Sequence, residues 1–222
     1  MAVITVKGTG RVSAAPDEIV LTLAVEGRDK QYDAAVSKAD EESAALLRAV
    51  TDAGFPEDEL KTMNYQVRTE YEGVRDADGN YRNEFSAYVC RYDLKLAFPL
   101  NIEKLRELLS GISSCGAKPE LYIRFGLHDP EAMREALLQE TADNARRKAE
   151  VLAKAAGAKL GALVSINYHV TDREFYSASS YAEEASMDSG APRMMAKNAA
   201  MGRFVPDDID ASDEASFTWE LA

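Results

Sequence analysis

Two long runs of alternating side chains, separated by a stretch suited to a turn, constrain this chain more than any other feature. Met63, Tyr65, Val67, Thr69 and Tyr71 stand two residues apart, as do Tyr88, Cys90, Tyr92, Leu94, Leu96 and Phe98. A period of two places each set on one face of an extended strand. Between them, Asp76-Ala77-Asp78-Gly79-Asn80 supplies residues that tolerate tight and left-handed backbone. The pattern predicts a long hairpin, so the fold must be built around antiparallel pairing.

The flanking segments change period. Ile4-Thr5-Val6 reads as a short strand ended by Gly8 and Gly10, and Pro16-Asp17 turns the chain into a strand carrying Ile19, Leu21, Leu23 and Val25. From Asp29 to about Ala53, Tyr32, Val36, Ala39, Ser43, Leu46, Leu47 and Val50 fall at helical steps, with Gly54 as the stop. Asn101 is placed to cap a second helix through Leu105, Leu108 and Leu109, ending near Gly111 to Gly116. Leu121, Ile123, Phe125 and Leu127 alternate as a strand, and Asp129-Pro130-Glu131 combines an N-cap, a first-position proline and an acidic first turn. The third helix is long, and Leu138, Ala142, Ala145, Ala149, Leu152 and Ala156 form its expected stripe toward its own sheet, or less simply toward a second subunit. Val164, Ile166 and Tyr168 begin another strand.

Residues 171–213 lose periodicity and fill with Ser, Ala, Asp, Gly and Pro, which predicts a mobile loop. Four of the seven methionines lie there, Met187, Met194, Met195 and Met201. Phe217, Trp219 and Leu221 alternate again as a closing strand over 214–222. The expected organisation is therefore one domain over 1–222, with a core over 2–170. Hairpins mixed with helices predict an α+β fold: a mainly antiparallel sheet with about three helices packed on it.

Charge narrows function. Lys and Arg total 26 against 38 for Asp and Glu, a net charge of −12, which repels nucleic-acid phosphates and anionic headgroups. No nucleic-acid partner is expected, and no stretch reaches membrane-spanning length. The first residues lack the basic start and apolar run of a signal peptide, so the chain as given is expected in the cytoplasm, or in the periplasm or envelope if a leader has been removed. Cys90 and Cys115 have no metal-type spacing and read as small buried hydrophobes.

Chemistry is thinly signalled. Gly8-Thr9-Gly10-Arg11 lacks the third glycine, the lysine-hydroxyl pair and the following helix of a phosphate loop, so it reads as a bend. His128 and His169 each end a predicted strand, with Asp129 and Asp172 nearby, but lack a ligand-type spacing such as His-Glu-x-x-His. With Asp17 they are the only candidate actors for an enzyme, and no Gly-x-Ser-x-Gly elbow accompanies them. No catalytic residue, cofactor or metal site is nominated. Tyr65, Tyr71, Tyr81, Tyr88 and Tyr92 crowd the hairpin instead. Tyrosine joins a large apolar area to a polar tip, which suits a subunit interface or a ligand wall as well as ordinary sheet packing. Tyr65, Tyr71, Tyr88 and Tyr92, with Met194 and Met195 of the loop, are the candidate contact residues.

The order of these pieces resembles the SIMPL family. Ile4-Thr5-Val6-x-Gly8-x-Gly10, Pro16-Asp17 and Lys61-Thr62 match its amino-terminal half. Ala145-Arg146-x-Lys148-Ala149-x-x-Leu152-Ala153 with Gly157 and Leu160-Gly161 resembles its last helix, and Phe217 to Leu221 its closing strand. The resemblance covers about residues 2–170 and 214–222. It implies an α+β domain shared by bacterial periplasmic immunogenic proteins that form ring-like oligomers and by an animal protein associated with a signalling kinase, with no catalytic residues to carry over. The expected function is a non-enzymatic, self-assembling scaffold or stress-linked interaction protein, a homo-oligomer with a further protein partner at loop 171–213. A small-molecule or metal-binding module is the alternative.

Overall fold

The computed structural model describes residues 2–75, 81–169, 174–183 and 204–222. The elements run β1 (Ala2–Ala14), β2 (Glu18–Asp29), α1 (Tyr32–Asp52), β3 (Lys61–Arg75), β4 (Tyr81–Pro99), α2 (Ile102–Ser114), β5 (Glu120–Gly126), α3 (Pro130–Ala155), β6 (Leu160–Tyr168), β7 (Tyr176–Glu183) and β8 (Ile209–Leu221). They form an α+β fold with two sheets, ordered β1-β8-β6 and β3-β4-β2-β5-β7. The pairs β1–β8, β6–β8, β2–β4 and β3–β4 all run antiparallel. The chain divides into two compact units, one of Met1–Asp17, Gly126–Ala178 and Pro206–Ala222, the other of Glu18–Phe125 and Ser179–Val205.

In the unit holding the hairpin, the period-two residues of β2 become the floor of the core. Ile19, Leu21, Leu23 and Val25 lie opposite Phe98, Leu96, Leu94 and Tyr92 of β4. The first three, with Leu96, are fully buried, and they pack with Leu46 and Val50 of α1 and Leu105, Leu108 and Ile112 of α2. Burying each such side chain contributes about 1.5–3 kcal/mol, so this layer supplies most of the unit's stability. Helix α2 begins as the sequence predicts, with the Asn101 side chain accepting from the Lys104 amide at 3.0 Å. Helix α1 ends at Gly54, whose φ of +83° is a left-handed conformation that a side chain would strain.

The other unit has a leaner core, because α3 lies close on β1 and β8 through small residues. Ala145 and Ala149 pack against Val6, Ala215, Phe217 and Trp219, while Met133 and Leu137 pack with Phe175, Ile209 and Ala211.

Three expectations are corrected here. Gly8 and Gly10 do not end the first strand: β1 runs through both to Ala14, paired with β8 throughout. Their role is proximity, since a Cβ on Gly8 would collide with the Thr141 carbonyl oxygen and one on Gly10 with the Thr141 hydroxyl. The stripe of α3 is displaced as well. Its buried positions are Met133, Leu137, Thr141, Ala145, Ala149 and Ala153, whereas Leu138 and Leu152 are 42% and 50% exposed. Steps of four advance about 40° each around a helix, so the buried line drifts across α3 instead of following the alternating three-and-four seam. Finally, the stretch expected to be structureless contains β7, and the closing strand starts at Ile209 instead of residue 214. Small and polar residues, Ala211 and Ala178 among them, gave no hydrophobic signal strong enough to mark β7 or the first residues of β8.

Candidate functional site

The tyrosines of the hairpin come together on the face of the sheet that carries α1. Tyr65 lies opposite Tyr92, and their ring centroids are 4.7 Å apart. Tyr92 donates a 2.7 Å hydrogen bond to Asp40 of α1. Tyr88 meets Tyr32, the first residue of α1, edge-on at 5.6 Å, and Phe85 at 5.0 Å. Phe85 in turn meets Tyr71 at 6.2 Å. The four tyrosines nominated from sequence are thus joined with Tyr32 and Phe85 along one face. Met194 and Met195 lie outside the described residues.

Sequence reasoning missed Phe85 because its parity is wrong for that face. A register shift between Glu70 and Tyr71 adds a residue to β4, and the slip turns Phe85 onto the tyrosine side. Tyr32 was read only as part of the helix's apolar face.

The face divides in two at the end of β2. Up to the pair Asp29–Tyr88, β4 lies between β2 and β3. Beyond it, residues 70–75 and 81–87 pair only with each other among the described residues, as a two-stranded arm. On and beside that arm Tyr71 is 57% exposed, Phe85 42%, Tyr32 50% and Tyr65 47%. Tyr81 is exposed further out, with the Arg75 guanidinium 4.9 Å over its ring.

The opposite face carries charge in closed sets. Arg91 reaches Glu26 at 3.0 Å, Asp93 at 2.8 Å and Glu120 at 3.0 Å. Partial burial works against its charge, but the three carboxylates more than offset that and push its pKa above the ordinary guanidinium value. Arg28 pairs with Glu70 at 2.9 Å and Glu72 at 3.2 Å, and Ser86 donates to Glu72 at 2.7 Å. The Ser86 hydroxyl, then the Arg28 charge, hold the Glu72 carboxyl below its usual range.

Cys90 lies fully buried in the tyrosine row. Burial pushes its thiol up, and the Asp40 charge adds to this, which opposes a reactive thiolate. The hydrogen bond that Tyr92 donates to Asp40, followed by burial, raises its pKa above the ordinary phenol range. Cys90 and Tyr92 are therefore both held in their neutral forms.

Asp17 accepts from the His128 amide at 2.7 Å and thereby ties the turn before β2 to the end of β5. His169 follows β6 and is exposed. Among the described residues no group of three or more His, Cys, Asp or Glu side chains is placed to hold a metal ion. No helix among them is long and apolar enough to cross a membrane. A groove of about 530 Å³ lies between β1 and α3, lined by Val6, Lys7, Arg147, Lys148, Val151 and Leu152.

Helix-backed antiparallel sheets and an aromatic hairpin arm define an α+β protein whose most distinctive described surface is aromatic. The chain belongs to the SIMPL family: the family model, described as a protein of unknown function (DUF541), matches residues 4–219. It is 26% identical over 169 residues to the uncharacterised protein YggE of Edwardsiella ictaluri (strain 93-146), covering 76% of this chain and 69% of that protein. It is also 26% identical over 171 residues to YggE of Escherichia coli (strain K12), covering 76% of this chain and 66% of that protein. The aligned region thus spans about two thirds of these bacterial relatives.

Proposed function

We propose that the protein is a non-enzymatic, self-assembling scaffold or interaction protein, and that the tyrosine face of the β3–β4 hairpin is its principal contact surface. The observation that carries this reading is the two-stranded arm beyond Asp29–Tyr88, with Tyr71 and Phe85 open to solvent. An isolated two-stranded ribbon is at best marginally stable, and contiguous exposed aromatic surface is uncommon on a protein with no partner. Tyrosine in such a place offers area at low conformational cost and a hydroxyl for the rim of an interface. On the opposite face Arg91 and Arg28 are already engaged by carboxylates of the same sheet, which favours the aromatic face as the contact surface.

Solution mass by light scattering on a sizing column, from low to high micromolar protein, tests the reading. A discrete assembly that Tyr71→Ser with Phe85→Ser breaks into smaller species is expected. A monomer at every concentration would overturn it.

The groove beside α3 favours a second reading, a small-molecule module. Its apolar floor of Val6, Val151 and Leu152 suits an apolar chain, and Lys148 at its rim, beside Lys7 and Arg147 held by Glu214 and Glu140, suits an anionic head. Calorimetric titration with medium-chain fatty acids tests it, and no heat of binding at millimolar ligand would dismiss it.

A further inference from the structure

We infer that the partner of the aromatic face is an arginine-bearing polypeptide segment, whose guanidinium groups lie over the open rings of Tyr71, Phe85 and Tyr32. The inference rests on the reading of this face as the contact surface and names the chemistry that the face selects.

The rings stand at steep angles to one another. Tyr32 and Tyr88 meet at 80°, Tyr71 and Phe85 at 82°, and Phe85 and Tyr88 at 59°. A planar ligand stacks best across coplanar rings, and these pairs form no flat platform. Edge-to-face pairs instead turn ring faces, where the π-electron density lies, in several directions. Such faces attract a cation.

The arm already uses this chemistry on itself. Beyond the register shift, Tyr71, Gly73 and Arg75 lie opposite Phe85, Asn83 and Tyr81 on one face. Arg75 is the one charged residue of these six, and its guanidinium sits 4.9 Å over the Tyr81 ring. The outermost ring is thereby occupied. Tyr71 and Phe85, further in and open to solvent, have no cation over them among the described residues.

Charge decides the sign of the partner. A chain of net charge −12 draws a cationic segment toward it and repels an anionic one. The helix beside the row has the same balance: from Tyr32 to Glu42, α1 carries Asp33, Asp40, Glu41 and Glu42 against Lys38. Lys38 is itself held by Asp29 at 2.7 Å. Asp40 lies at the centre of the row through its bond to Tyr92, and Asp33 in the first turn offsets the positive end of the helix dipole next to Tyr32. Arginine suits these surroundings better than lysine, because its planar, weakly hydrated head stacks on a ring and still donates to carboxylates.

Calorimetric titration of the full chain with a capped hexa-arginine peptide and its hexa-lysine counterpart tests this. Lysine reports the general attraction of an acidic protein, and arginine is expected to bind roughly fivefold tighter or more. Tyr71→Leu with Phe85→Leu keeps apolar area but removes the rings, and should erase that preference while leaving the lysine titration unchanged. Tyr71→Phe should keep the preference. Equal binding of the two peptides, or a preference that survives the leucine pair, overturns the inference; so does a neutral leucine-rich peptide that binds as tightly as hexa-arginine. Light scattering on the leucine pair separates this claim from self-assembly. If the preference is lost and the mass of the assembly is unchanged, the arginine partner stands and assembly through this face fails. If the mass falls and the titrations are unchanged, the face joins copies of the chain and the arginine partner is wrong.

Discussion

The Tyr92 hydroxyl donates to the Asp40 carboxylate at 2.7 Å, joining the centre of the hairpin to helix α1 across the aromatic face. The bond favours the neutral phenol, so the pKa of Tyr92 is raised in the folded state. A raised phenol contributes stability that is present below about pH 10, its unfolded value, and is lost as pH rises toward its folded value. Tyr92→Phe is expected to cost about 1 kcal/mol at pH 7, the usual net worth of one hydrogen bond. The difference from wild type should shrink above pH 10. Urea denaturation at pH 7, 9 and 11 checks both statements.

Arg91 is the one cation in the described ion pairs that contacts all three of Glu26, Asp93 and Glu120, with Arg68 a longer second partner of Glu26 at 3.5 Å. Removing it leaves three facing carboxylates. Arg91→Ala is expected to destabilise by about 1–3 kcal/mol at neutral pH. Arg91→Lys should restore only part, because one ammonium cannot reproduce the guanidinium fork. Thermal melts of the three proteins at neutral pH measure this.

Gly8 touches the backbone of α3, so a methyl group there has nowhere to go. Gly8→Ala should cost about 1–3 kcal/mol by forcing β1 and α3 apart. Gly73→Ala on the arm is the control, since its Cβ would meet only the Tyr81 ring at 3.9 Å. Chemical denaturation of both variants should separate them clearly; equal stabilities would refute the close approach.

Along α3, Leu152 and Ala149 exchange the roles that size alone assigns them. Leu152→Gln, at a half-exposed site, should change stability by no more than about 0.5 kcal/mol. Ala149→Leu, fully buried against Val6 and Phe217, should cost about 1–3 kcal/mol. The reverse order would restore the seam expected from sequence.

Much of the fold was legible because it rests on local chemistry. The alternation through Tyr88, Tyr92 and Leu96 fixed β4 and its face, Asn101 fixed the start of α2, and Asp129-Pro130 that of α3. Period, caps and turn residues act within a few positions of themselves, so a sequence displays them directly. The four hairpin tyrosines were legible as a group for the same reason. What only the tertiary structure decided concerns groups distant in the chain. Gly8 and Gly10 looked like breaks until α3 was laid upon them, and Phe85 joined the aromatic row only through a slip in pairing between strands. The buried side of α3 likewise depends on which neighbour arrives from over a hundred residues away, as Val6 does at Ala145. Residue type and spacing carry no record of that approach.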